Sequence, residues 1–172
     1  NQDGSEGFIF VSGMDQLHTG FEFEGYYKPI KYVEIGAMAS IGNWEYTKNV
    51  TGTYKDYVDD AETEEEYNYY TKGLKVGDAP QTQFGGMLTI LPINGLRLQF
   101  DARYYSEHYA DWDPFSRTDE EDTEQVWKTP AYFLTDAHVS YVLPLKGKFT
   151  VEVFGHVFNL LDEIYIQDAT DN

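Results

Sequence analysis

The chain has 172 residues and a mass of 19.8 kDa, room for one medium domain or a section of something larger. Its 30 Asp and Glu against 12 Lys and Arg leave a net charge of -18, which excludes the phosphate-neutralising surface that a nucleic-acid partner requires. With no Cys there is no disulfide and no thiolate nucleophile, no run approaches the roughly 18 apolar residues of a membrane helix, and no charged-then-apolar start marks a signal peptide.

The predicted elements are strands. Phe8, Ile9, Phe10 and Val11 make a weak first one, and Phe21 and Phe23 alternate with Glu22 and Glu24 in the next. In residues 33–41, Val33, Ile35, Ala37, Ala39 and Ile41 oppose Glu34, Gly36, Met38 and Ser40. Phe84, Gly86, Leu88 and Ile90 then oppose Gln83, Gly85, Met87 and Thr89. Residues 96–105 show the period most clearly: Leu96, Leu98, Phe100, Ala102 and Tyr104 on one face, Arg97, Gln99, Asp101, Arg103 and Tyr105 on the other. Phe133, Ala137, Val139, Tyr141 and Leu143 oppose Asp136, His138 and Ser140, and residues 149–158 repeat the pattern a last time. No stretch shows a 3.6-residue period, so the chain reads as all-β with about seven strands.

The connections are of two alternating kinds. Short turns rich in Pro, Gly and Asn occupy 27–31, 91–95 and 144–148, whereas long polar loops are expected over about 48–80 and 109–130. Hairpins with short turns at one end and long loops at the other are the plan of a transmembrane β-barrel, and a mean hydropathy of -0.53 fits its polar lumen and wet loops. The well-formed strands have the roughly 9–11 residues that a tilted bilayer crossing needs. Tyr26, Tyr27 and Tyr32 near one turn, and Trp44, Tyr46, Tyr104, Tyr105 and Tyr109 towards the other end, fit interfacial aromatic girdles. A β-sandwich with the apolar face turned inward has the same periodicity. The Tyr, Met and Phe on the polar faces and the consistent alternation of turn length favour the barrel.

Several stretches, in their order, resemble TonB-dependent outer-membrane receptors. His18-Thr-Gly-Phe-Glu-Phe-Glu-Gly-Tyr-Tyr-Lys-Pro29 is similar to the family's G-x-E-x-E-x-x-Y-x-P strand and turn, and Val33-Glu-Ile-Gly-Ala-Met-Ala-Ser-Ile-Gly-Asn-Trp44 follows it. Gly77-Asp-Ala-Pro-Gln-Thr82 looks like re-entry from an outer loop, and Tyr104-Tyr-Ser-Glu-His-Tyr-Ala-Asp-Trp-Asp-Pro114 like a strand exit. Val151-Glu-Val-Phe-Gly-His-Val-Phe-Asn-Leu-Leu-Asp162 with Tyr165 carries the N-L-x-D-x-x-Y signature of the penultimate strand.

The resemblance covers nearly the whole chain and implies part of the C-terminal antiparallel up-and-down barrel, one of about 22 strands in this family. The plug domain, the TonB-engaging box and the terminal strand have no counterpart in these residues. The resemblance further implies a bacterial cell outer-membrane location, contact with outer-membrane lipid, coupling to TonB through the missing N-terminal part, and import of a small ligand. Ferric siderophores, haem, cobalamin and glycans are the candidate ligands. Trp112, Phe115 and Trp127 in the second long loop are the candidate stacking residues for a sugar or aromatic chelate. The alternative reading is a secreted β-sandwich carbohydrate-binding module that uses the same loops.

Carboxylates gather in both long loops: Asp56, Asp59, Asp60, Glu62, Glu64, Glu65 and Glu66 in one, Asp111, Asp113, Asp119, Glu120, Glu121, Asp122 and Glu124 in the other. Their spacing does not match an EF-hand, and solvated charge runs account for them more simply than cation capture. Asp111 and Asp113 form the most ligand-like fragment. His138 and His156 project to the polar face of neighbouring strands, where they fall close to each other. Arg97, Asp101 and Arg103 are expected to pair with carboxylates such as Glu34 or Glu152. Ser140, His138 and Asp136 lie at alternate positions of one strand, about 7 Å apart, too far for a nucleophile–base bond. No enzyme activity and no cofactor are expected.

Overall fold

A computed structural model of the chain describes residues 8–58, 61–77 and 79–171. They contain eleven strands and no helix: β1 (Phe8–Val11), β2 (Gln16–Ile30), β3 (Val33–Tyr46), β4 (Val50–Val58), β5 (Ala61–Tyr69), β6 (Thr82–Ile90), β7 (Leu96–Ser106), β8 (Asp111–Trp112), β9 (Tyr132–Val142), β10 (Glu152–Val157) and β11 (Thr170–Asp171). Six of these form one sheet in the order β10-β9-β7-β6-β3-β2, with every neighbouring pair antiparallel. Among the described residues this sheet does not close, because β2 and β10 are its edges.

The alternation read from the sequence fixes which side chains share a face. One row across the sheet runs Ile35, Leu88, Phe100, Ala137, Val157, and the next runs Glu34, Thr89, Gln99, His138, His156. In the middle of the sheet the apolar face is the more open: Phe84 is 43%, Leu88 39% and Phe100 46% exposed, while Thr89 at 0% and Asp136 at 5% on the polar face are buried; at the edge strands both faces are open, with Tyr26 and Phe154 exposed on the polar one. Among the described strands no second sheet covers the apolar face.

Short turns join β2 to β3, β6 to β7 and β9 to β10 at one end of the sheet. The β2–β3 register shifts between Tyr27 and Ile30, where Pro29 has no N–H to give to a ladder. In the β6–β7 turn Gly95 takes a φ of 85° and a side chain there would meet the Val142 carbonyl oxygen at 2.5 Å, so glycine alone fits.

The long connections lie at the other end, and the buried apolar core lies there too. Tyr46, Leu74, Val76 and Val126 form it, with Trp44, Tyr109 and Trp112 packed against them. Residues 48–80, expected as a loop, instead hold the β4–β5 hairpin, and β1 pairs with β4 in a separate three-stranded sheet. The strand at Phe8 is therefore not an edge of the main sheet. β5 reads Ala-Glu-Thr-Glu-Glu-Glu-Tyr-Asn-Tyr, an acidic composition with weak strand propensity. Cross-strand pairing overrides it: Lys55 bridges Glu64 opposite, and the buried Tyr69 ring lies against Gly52 of β4. Asp59 and Asp60 of the first acidic run, and Asp78, lie outside the described residues. The last strand of the main sheet is shorter than expected, Glu152–Val157 rather than 149–158.

Candidate functional site

The polar face of the sheet carries a connected network. Arg97 reaches Glu34 at 3.4 Å, Thr89 Oγ1 at 3.1 Å and Gln99 Oε1 at 3.0 Å, and Gln99 donates to Asp101 at 2.8 Å. Asp101 also faces His138 Nε2 at 3.1 Å, and His138 Nδ1 lies 2.7 Å from His156 Nδ1. The two histidines are direct partners in the β9–β10 register, so their proximity, legible in the alternation, is a consequence of backbone pairing. Arg103 pairs with Asp136, not with Glu34 or Glu152. A cavity of about 360 Å³ opens on this face, lined among others by Glu24, Tyr26, Met38, Asp101, Arg103 and Phe158. Ser140, His138 and Asp136 occupy successive same-face positions of β9; His138 faces Asp101 and His156, and Asp136 holds Arg103 and Asn159.

The Asn-Leu-Leu-Asp segment after β10 has a definite structural role. Asn159 and Asp162 adopt positive φ angles of 51° and 54° at the two ends of a turn closed by the Asp162 N–H to Asn159 O bond at 2.9 Å. Asn159 Oδ1 accepts the Glu163 N–H at 2.9 Å and its Nδ2 donates to the Glu163 carbonyl at 2.9 Å. The turn docks on β9 through Leu160 N–H to Thr135 O at 2.7 Å and Asn159 N–H to Asp136 Oδ1 at 2.8 Å. The chain then carries on alongside β9 and brings Tyr165 onto Tyr132 (4.5 Å between centroids), which stacks in turn on Tyr105 (4.9 Å). Neither the Tyr105–Tyr132–Tyr165 stack nor the anchoring by Asp136 was visible in sequence spacing, because the partners come from three different segments.

At the long-connection end, two polar side chains organise the cap. Gln81, 2% exposed, accepts the Trp44 N–H at 2.8 Å and donates to the Trp44 and Val76 carbonyls, both at 3.1 Å. Buried Arg117 pairs with Asp122 at 2.9 Å and Asp171 at 2.7 Å and donates to the Glu124 carbonyl. Gln81 falls in the Gly77–Thr82 segment that the sequence singled out; nothing in the sequence distinguished Arg117. Nearby, Tyr109 and Lys128 both donate to Glu107, at 2.6 and 3.0 Å. The bond from Tyr109, then that from Lys128, holds the Glu107 carboxyl below the ordinary range. Burial, then the Glu107 bond, pushes the Tyr109 phenol up to about 12.

The sequence-predicted residues fall in different settings. Trp112 is half-buried in the cap core, edge-on to Tyr46 and tilted against Tyr69. Phe115 is 71% exposed, with Tyr54 edge-on to it, and Trp127 is 46% exposed. Asp111 lies against Gly77 and its strand pairs with β11; the Asp113 carboxylate accepts the Phe115 N–H at 3.3 Å. Among the described residues no group of three or more His, Asp or Glu is placed to hold a metal ion. Neither protein-family models nor curated proteins nor solved structures give a match to this chain.

Proposed function

We propose that the chain forms wall strands and outer cap of a TonB-dependent outer-membrane receptor that imports a scarce or bulky ligand. The observation that carries this reading is the exposure across the middle of the six-stranded sheet, where Phe84, Leu88 and Phe100 are open and the opposite face holds a hydrogen-bonded ionic network around buried Thr89 and Asp136. A lipid-facing wall around a polar lumen has that arrangement. The strict alternation of short turns and long connections supports it, as does the role of Asn159, Asp162 and Tyr165 in closing the turn after β10. On this reading β2 and β10 each pair with a further barrel strand, since bare N–H and C=O groups are not tolerated in hydrocarbon. The ligand, a ferric siderophore, haem, cobalamin or glycan, meets the exposed rings of Phe115 and Trp127 in the cap, and TonB supplies energy through an N-terminal part.

Expression of the chain with and without detergent tests the reading. It predicts partition into membranes and folding only in micelles or bilayers. A monodisperse, folded monomer in plain buffer overturns it in favour of a secreted β-sandwich binding module.

A further inference from the structure

We infer that His138 and His156 form a binding site for one late first-row divalent metal ion, held cis by their two Nδ1 atoms. The pair is set by the β9–β10 register, so the site stands whether or not the receptor reading does. Asp101 Oδ2, which accepts from Gln99 Nε2 at 2.8 Å, lies 3.1 Å from His138 Nε2, and its negative charge favours the proton on that nitrogen. That leaves His138 Nδ1 as the bare nitrogen of a neutral imidazole, aimed at His156 Nδ1 2.7 Å away. With that tautomer the His156 Nδ1–H donates to His138 Nδ1. A metal ion takes the place of this hydrogen bond: the His156 proton moves from Nδ1 to Nε2 through solvent with no net release, and the ion gains two neutral imidazole ligands, one with a carboxylate beside its other nitrogen, an arrangement typical of metal-bound histidine.

The separation selects the geometry. Two nitrogens bound at about 2.0 Å stand about 2.8 Å apart at a right angle and about 3.3 Å apart in a tetrahedron. The observed 2.7 Å matches the right angle, which square-planar Cu2+ or Ni2+ provides. Affinity order among divalent ions favours Cu2+. Phe154 and Phe158 flank His156, with centroids at 5.4 and 6.0 Å. A cavity of about 440 Å³ lined by Arg97, Gln99, His138, Ser140, Glu152 and His156 leaves room for water ligands.

Titration of Cu2+ alone into the full chain, folded in detergent micelles, tests the site. The expected result is one tight ion per chain whose electron paramagnetic resonance spectrum carries hyperfine structure from two imidazole nitrogens. His138→Asn, and His156→Phe, which places an aromatic ring between Phe154 and Phe158, should each weaken binding at least tenfold, the lower end of the roughly 10–100-fold that loss of even an outer-shell partner produces. His18→Ala, at a ring bonded to Gln16 and stacked on Trp44, should leave binding unchanged. A parent spectrum without two imidazole nitrogens overturns the inference without recourse to any variant, and so does undiminished binding in either His138→Asn or His156→Phe.

Discussion

Asp136 joins Asn159 to the sheet: its Oδ1 accepts the Asn159 N–H at 2.8 Å while its Oδ2 holds Arg103. With Asp136 buried, both oxygens are committed, and the turn after β10 is locked to the polar face of β9. Loss of the carboxylate leaves the exposed Arg103 guanidinium to solvent and strands the Asn159 N–H. Asp136→Ala should destabilise the fold by about 1–3 kcal/mol, the scale of leaving one donor without its partner. Asp136→Asn, which keeps an acceptor for Asn159, should do less. Urea unfolding in micelles distinguishes them; equal effects from both would show that the Asn159 contact contributes nothing.

The open apolar face of the sheet makes a paired prediction at adjacent residues of β7. Phe100 is on the exposed apolar face and Gln99 on the polar one. A charge at mid-strand on a lipid face costs about 2–4 kcal/mol, and a lumen charge little. Phe100→Arg should therefore block outer-membrane assembly while Gln99→Arg is tolerated, as read by membrane fractionation. Tolerance of both would contradict the lipid-facing assignment.

The Glu107–Tyr109–Lys128 cluster makes cap stability depend on pH at both extremes. The Tyr109 phenol is raised from 10.0 to about 12, so its contribution is full below pH 10 and is lost between there and about 12. The Glu107 carboxyl is lowered, so its contribution is present above the ordinary carboxylate range and disappears as pH falls through the folded-state value. Proteolytic nicking of the β7–β9 connection should rise at both ends of the scale. Tyr109→Phe should abolish the alkaline rise relative to the parent, and an identical alkaline profile in that variant would exclude Tyr109 as its source.

The cap aromatics divide by burial. Trp112 packs on Tyr46 and Tyr69, whereas Phe115 and Trp127 present most or much of their rings to solvent. Trp112→Ala should lower cap stability by about 3 kcal/mol, as for other large buried rings. Phe115→Ala and Trp127→Ala should leave stability within about 0.5 kcal/mol, the range of surface substitutions, and, on the receptor function proposed above, weaken ligand uptake. Uptake unaffected by both would remove them from the ligand surface.

What was legible in the sequence follows from the range of the signal. The period-2 alternation around Phe100, Ile35 and Leu88 gave the strands, their faces and the meeting of His138 with His156, because backbone pairing carries one strand's pattern directly to the next. It did not give β4 and β5, where acidic side chains hide strand propensity and the contacts across the pair come from Lys55 with Glu64 and from Tyr69 against Gly52. Nor did it give Arg117 or the Tyr105–Tyr132–Tyr165 stack, whose partners lie in distant segments and obey no local period. The Asn-Leu-Leu-Asp segment was recognisable as a pattern, but its reason, a turn bounded by two positive-φ residues and pinned to Asp136, is a three-dimensional one.

The edges of the sheet provide the last prediction. β2 runs for 15 residues and β10 for 6, and each has a single neighbour among the described strands. In water, their outward amides would exchange with solvent within the low-stability range of frayed structure. In hydrocarbon such groups must be paired, and only barrel closure pairs them all. Hydrogen exchange measured on outer-membrane preparations should therefore find the outward amides of β2 and β10 as protected as those of β6 and β7. Fast exchange confined to β2 and β10 would mean that both remain open edges, and a wall built from this sheet would then be excluded.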